Sequence, residues 1–85
     1  MMYYVYFLKS LKNSDLYVGS TENLKQRIGK HNAGKVKSTK SYRPWHLLGF
    51  EVYNSRSEAV TRERFLKTGQ QKELLKKKFG LVAKW

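Results

Sequence analysis

Five side chains in this sequence have the types and positions to act together: Tyr6, Tyr17, Arg27, His31 and Glu63. Glu63 is the least expected. Ala59, Glu63 and Leu66 fall within about 60° of one another on a helix, so a carboxylate stands in an apolar stripe. Such a group is costly unless it is paired or coordinated. An ion pair with Arg62, Lys67 or a strand residue would satisfy it, and so would a metal ion. The other acids have plainer uses. Asp15 belongs to a turn, Glu22 to a helix start, Glu58 to a capping box, Glu51 to a strand and Glu73 to a lysine-rich helix. A site built on several converging carboxylates and two metals is therefore poorly supported. One Mg²⁺ held by one carboxylate, its remaining positions filled by water and a phosphate, is compatible with this set. Cysteine is absent, and His31 and His46 alone cannot build a zinc site. Tyrosine is the abundant resource, with six in 85 residues. Clustered strand tyrosines are most often packing residues, and a lone His is as readily a satisfied core group as a proton relay.

These side chains need elements to position them. Tyr3–Leu8 is a run of aromatic and β-branched types, apolar on both faces, which reads as a central strand. Lys12–Asp15 has turn chemistry and Leu16–Gly19 resumes the strand pattern, so the two form a hairpin with Tyr6 and Tyr17 on neighbouring strands. Alternation puts Tyr4, Tyr6 and Leu8 on one face and Tyr3, Val5 and Phe7 on the other. A helix is expected from about Glu22 to Asn32, capped by Thr21 or Ser20 and stopping before Gly34. Leu24, Ile28 and His31 form its inward stripe, flanked by Arg27. Two aliphatics completed by a histidine make a poor packing face, which suggests polar groups aimed at a site. Gly34–Pro44 is a long polar, basic loop. Trp45–Tyr53 returns to strand character, with Leu48, Phe50 and Val52 expected on one face. Ser55 and Glu58 fit a capping box for a helix reaching Thr68 and capped by Gly69, and a last helix runs from about Gln71 to Phe79.

Eighteen Lys and Arg stand against six Asp and Glu, a formal charge of +12. Lys25, Arg27, Lys30, Lys35, Lys37, Lys40 and Arg43 form one segment without an acid, and Lys72, Lys76, Lys77, Lys78 and Lys84 form a second block with only Glu73 among it. Solubility alone is usually served by interspersed charge of both signs, so a polyanion is the expected partner, DNA first and RNA as an alternative. No stretch is apolar enough to span a bilayer and no basic signal-peptide head precedes the first strand, which predicts a cytoplasmic protein without membrane association. The length accommodates one domain, residues 1–85. On residue types and spacing alone, the chain reads as a basic domain of helices and strands that binds nucleic acid.

The chain also resembles the GIY-YIG nucleases, in particular their small stand-alone members. Tyr4-Val5-Tyr6 and Tyr17-Val18-Gly19 are similar to the two motif triplets and keep the family's spacing. The helix segment from Leu24 to Asn32 carries Arg27 and His31 as the family's does, and Arg62-Glu63-Arg64-Phe65-Leu66-Lys67 resembles the segment around its metal-binding glutamate. Lys37-Ser38-Thr39-Lys40 followed by Arg43-Pro44-Trp45 is also similar to the small members. The likeness runs from about Tyr3 to Lys78. It departs from the family at Tyr4, where the first triplet has Gly, and at Ser20, where the nuclease domain of the bacterial excision-repair incision subunit has Lys.

The resemblance implies an α+β fold, a small three-stranded antiparallel sheet flanked by helices in the order β-β-α-β-α-α. It implies Mg²⁺- or Mn²⁺-dependent hydrolysis of DNA phosphodiesters, in structured or damaged DNA during repair or recombination. Glu63 would anchor the metal. Tyr6 or Tyr17 would deprotonate the attacking water or attack directly, and since a free phenol has a pKa near 10 either role needs nearby cations. Arg27 would bind the phosphate as a planar fork, and His31 would relay a proton or orient a tyrosine. Lys35, Lys37, Lys40, Arg43 and Lys67 are the expected DNA contacts, with a partner protein or DNA shape supplying selectivity. The competing expectations are a non-catalytic nucleic-acid-binding module of the same fold and a ribosome-associated basic protein.

Overall fold

The computed structural model describes residues 1–81, so Lys84 of the second basic block lies outside the described residues. Strands β1 (Tyr3–Ser10) and β2 (Leu16–Thr21) form the expected hairpin, followed by α1 (Leu24–Asn32). A short 3₁₀ turn at Lys40–Tyr42 leads into β3 (Trp45–Tyr53), then α2 (Arg56–Leu66) and α3 (Gly69–Lys78). The sheet is antiparallel throughout with the order β2-β1-β3. The first strand is therefore central, which explains why Val5, Tyr6, Phe7 and Leu8 are all buried. Among the described residues no helix is long and apolar enough to cross a membrane.

Each sheet face has its own core. Val5, Phe7, Leu16 and Val18 pack with Ala59, Leu66 and Leu75 from α2 and α3. Tyr6, Leu8 and Trp45 form the opposite core with Tyr17, Leu24, Ile28 and Leu47. The two faces meet at the outer edge of β2, an arrangement that lets residues from α1 and α2 approach one another.

Several local expectations are corrected. The cap of α1 is Asn23, whose side chain accepts the Gln26 N–H at 3.1 Å, rather than Thr21 or Ser20. Both of those residues remain in β2, which runs past Gly19. Lys67 ends α2 and extended backbone at Thr68 starts α3, so Gly69 opens a helix instead of capping one. Leu48, Phe50 and Val52 do not share a face, because a register shift at Phe7/Leu8 interrupts the alternation. Leu48 packs against the α2 side, while Phe50 and Val52 lie opposite Tyr6 and Tyr4 and are about half exposed. The capping role of Ser55 holds, its hydroxyl accepting the Glu58 N–H.

The basic loop returns tightly to the body. Asn32 at the end of α1 accepts the Trp45 N–H at 2.6 Å and donates to the Trp45 carbonyl at 3.1 Å. Buried Ser10 donates to the Tyr42 carbonyl, and its oxygen accepts the N–H groups of Lys12 and Asn13 in the hairpin turn. The Trp45 indole donates to the Thr39 carbonyl at 2.9 Å. The loop is thus clamped at its C-terminal half while Lys35, Lys37, Lys40 and Arg43 remain at the surface.

Candidate active site

Tyr6 enters its core from the central strand, and its paired residue on β2 is Gly19. Paired residues present their side chains to the same face, so a glycine there leaves room for the Tyr6 phenol to lie across the neighbouring strand. A Cβ at Gly19 would collide with the Tyr6 oxygen and stand 2.6 Å from its Cζ. The phenol is fully buried yet polar at its tip, and its oxygen is 2.8 Å from His31 Nε2 and 3.4 Å from the Arg27 Nε donor. Burial pushes the Tyr6 pKa up to about 12, against the opposing pull of the Arg27 hydrogen bond. Arg27 is in turn held more firmly protonated by its bond to Tyr6.

His31 is buried as well, at the end of α1. Its Nδ1 is 2.7 Å from the Thr39 hydroxyl. Burial, reinforced by the Arg27 cation, lowers its pKa from 6.5 to about 4, so the ring is neutral at physiological pH. Tyr17 lies beside it, with ring centroids 5.0 Å apart, and is itself only partly buried. Tyr17, like Tyr6, helps to hold Arg27 protonated.

Glu63 reaches this cluster from the other face. Val5, which points toward α2, pairs with Ser20, so Ser20 points the same way and its hydroxyl donates to the Glu63 carboxylate. The second carboxylate oxygen receives Lys67 Nζ at 2.8 Å. The same ammonium lies 5.2 Å from the Tyr17 ring centroid. Lys67 therefore wraps the edge of β2 and links the carboxylate on one face to a tyrosine on the other. The expected partner Arg62 turns elsewhere, binding Glu51 through Nε and Nη2. That pair, with Tyr53 donating to Glu51 at 2.7 Å, belongs to the β3 edge.

Among the described residues no group of three or more metal-ligating side chains exists. The donor set at the β2 edge is instead one carboxylate and one hydroxyl. Such a set suits a hard divalent cation that keeps several waters and takes a substrate phosphate oxygen. A cleft of about 230 Å³ opens beside it, lined in part by Ser20, Arg27, Lys30 and Arg56.

The structure brings together all five expected residues, and Lys67 with them. It leaves Lys35, Lys37, Lys40 and Arg43 on the loop surface. Ser20, Gly19 and Thr39 are the participants that spacing alone does not single out. Gly19 has a signal in the second triplet, and Thr39 falls in the Lys37–Lys40 run that resembles the small members, though nothing in that run marks it as a partner of His31.

A three-stranded antiparallel sheet with tyrosines on its hairpin, an arginine and histidine on the following helix and a glutamate on the next defines a nuclease-type fold. Residues 2–78 match the GIY-YIG catalytic domain, and the chain belongs to the GIY-YIG family. It is 47% identical over 75 residues to a UPF0213 protein of Staphylococcus haemolyticus, covering 87% of this chain and 90% of that one. A UPF0213 protein of Staphylococcus aureus is 42% identical over 74 residues, covering 85% and 89% of the two chains. The solution NMR structure of a UPF0213 protein from Bacillus halodurans matches with a TM-score of 0.54 at 35% identity, covering 88% of this chain and 82% of that one.

Proposed function

We propose that this protein is a divalent-metal-dependent endonuclease that hydrolyses DNA phosphodiesters at the β2 edge. The observation that carries the reading is the meeting there of Glu63 with the Tyr6–Arg27–Tyr17 cluster, joined across the edge by Lys67. Glu63, with Ser20 beside it, would hold Mg²⁺ or Mn²⁺. When bound, the ion supplies charge stabilisation at the scissile phosphate and the leaving oxygen.

The protein's own groups divide the remaining work. Arg27 presents a guanidinium fork to the phosphate and is anchored by the Tyr6 oxygen. Tyr6 is sealed from water and stays a neutral phenol, which disfavours it as the base. Tyr17 is the phenol that water can reach; having first given its own proton to solvent, with the Arg27 and Lys67 cations nearby to favour the phenolate, it takes the proton of the attacking water. Lys35, Lys37, Lys40 and Arg43 on the loop hold the flanking DNA backbone without reading sequence. Structured or damaged DNA is the proposed substrate, selected by its shape.

The test is a nicking assay on duplex, flap and branched DNA with Mg²⁺ or Mn²⁺. Glu63→Ala and Tyr17→Phe should each lower cleavage by about 10²-fold or more, in the range set by losing a charge stabiliser or a general base. Full activity in both variants overturns the mechanism. Salt-sensitive DNA binding with no cleavage under either metal supports the alternative of a binding module that does not cut.

A further inference from the structure

Thr39 sits in the basic loop, has no exposed surface and lies eight residues beyond His31, yet its hydroxyl is 2.7 Å from the His31 ring. Nothing about packing requires a hydroxyl there. The polar contacts around it form a chain of donors and acceptors, and only one direction along that chain satisfies every member.

Two directions can be compared. In the first, the Thr39 hydroxyl donates to the Val36 carbonyl at 3.4 Å, leaving its oxygen to accept the His31 Nδ1–H. His31 Nε2 is then bare and accepts the Tyr6 O–H at 2.8 Å, and the Tyr6 oxygen accepts the Arg27 Nε–H at 3.4 Å. Every proton has a receiver. In the second, Thr39 donates to Nδ1 and His31 Nε2–H donates to Tyr6. The Tyr6 oxygen then faces two donors, and no acceptor among the described residues receives its own proton. A buried hydroxyl proton left without a receiver is costly, which decides the direction.

We propose that Thr39 is a positioning residue that keeps the His31 proton on Nδ1, and through the Tyr6 hydroxyl directs Arg27 at the phosphate. The claim about Arg27 rests on the nuclease reading above, whereas the placement of the proton does not. A consequence is that the loop carrying Lys35, Lys37, Lys40 and Arg43 is joined by hydrogen bonds to the group that meets the reacting phosphate. The Thr39 carbonyl, held by the Trp45 indole, keeps the hydroxyl at its station.

The experiment compares wild type, Thr39→Val, which removes the hydroxyl at nearly constant volume, and Thr39→Ser, which keeps it. In ¹⁵N-histidine-labelled protein, one-bond ¹H–¹⁵N correlations show which ring nitrogen of His31 carries the proton, and a His46→Gln variant assigns the second ring. Wild type and Thr39→Ser should show Nδ1–H, and Thr39→Val should shift the proton toward Nε2. In cleavage assays Thr39→Val should lower kcat on the order of tenfold with KM for DNA nearly unchanged, since only the orientation of a reacting group is disturbed. Thr39→Ser should restore kcat. An Nε2–H ring in wild type, or a Thr39→Val protein with unaltered tautomer and kcat, overturns the proposal. So does failure of a folded Thr39→Ser protein to restore both readings. If wild type cleaves no DNA, the nuclease reading fails, while the spectrum still decides the proton's place.

Discussion

The Tyr6 phenol occupies the space that a side chain at Gly19 would fill, with 2.6 Å between its Cζ and the position of a Cβ. Both residues sit in paired positions of the hairpin, so neither can move without shifting the strands. Gly19→Ala should therefore displace the phenol and cost about 1–3 kcal/mol, as overpacking of a tight site does. Urea unfolding measures the loss. Cleavage should fall at the same time, because the displaced oxygen no longer anchors Arg27. A variant with unchanged stability and activity would show that the close approach has no consequence.

The buried neutral His31 predicts an acid-side loss of stability with a definite sign. Its folded pKa of about 4 lies below the ordinary 6.5, so the unfolded chain takes up a proton first as pH falls. The stability that His31 contributes is complete above about pH 6.5 and is lost on descent to about pH 4, a change of about 3 kcal/mol. Comparing the pH dependence of unfolding in wild type and His31→Gln isolates this contribution from that of the carboxylates. Parallel curves would exclude a buried neutral ring.

Lys67 should matter more to chemistry than to folding. Its ion pair with Glu63 is partly exposed, with the lysine side chain 44% accessible, so Lys67→Met should change stability by less than about 1 kcal/mol. The variant frees the Glu63 carboxylate from a competing cation. Mn²⁺ titration followed by electron paramagnetic resonance should then show severalfold tighter binding, abolished by adding Glu63→Gln. Unchanged affinity in Lys67→Met would argue that the ammonium and the metal do not compete for this group.

The loop cations should act on the DNA backbone additively. Replacing Lys35, Lys37, Lys40 and Arg43 by Ala removes four surface charges outside the catalytic cluster. The slope of log affinity against log salt for duplex DNA should shrink by about 0.9 for each phosphate that the variant no longer neutralises. Affinity should fall equally for unrelated sequences, because binding to phosphates involves no base readout. An unaltered slope would place the DNA elsewhere on the surface.

Much of this site is visible in the order of the residues. The hairpin carrying Tyr6 and Tyr17, the helix carrying Arg27 and His31, and Glu63 among apolar helix positions all follow from local periodicity and turn chemistry. Boundaries are less legible where several good caps compete, as Asn23 does with Thr21 and Ser20. The split of Leu48 from Phe50 and Val52 is hidden from the β3 sequence, because a register shift depends on the partner strand as well.

The sequence by itself determined the elements, the excess of positive charge and the residues able to do chemistry, because these depend on composition and near-neighbour spacing. Only the tertiary structure decided how they meet. Placing β1 between β2 and β3 makes β2 an edge, and that edge is where Ser20 and Glu63 on one face come within reach of Tyr17 on the other, with Lys67 spanning between them. Thr39 became part of the site in the same way, since closing the basic loop onto Trp45 and His31 is a long-range packing event that no local pattern encodes.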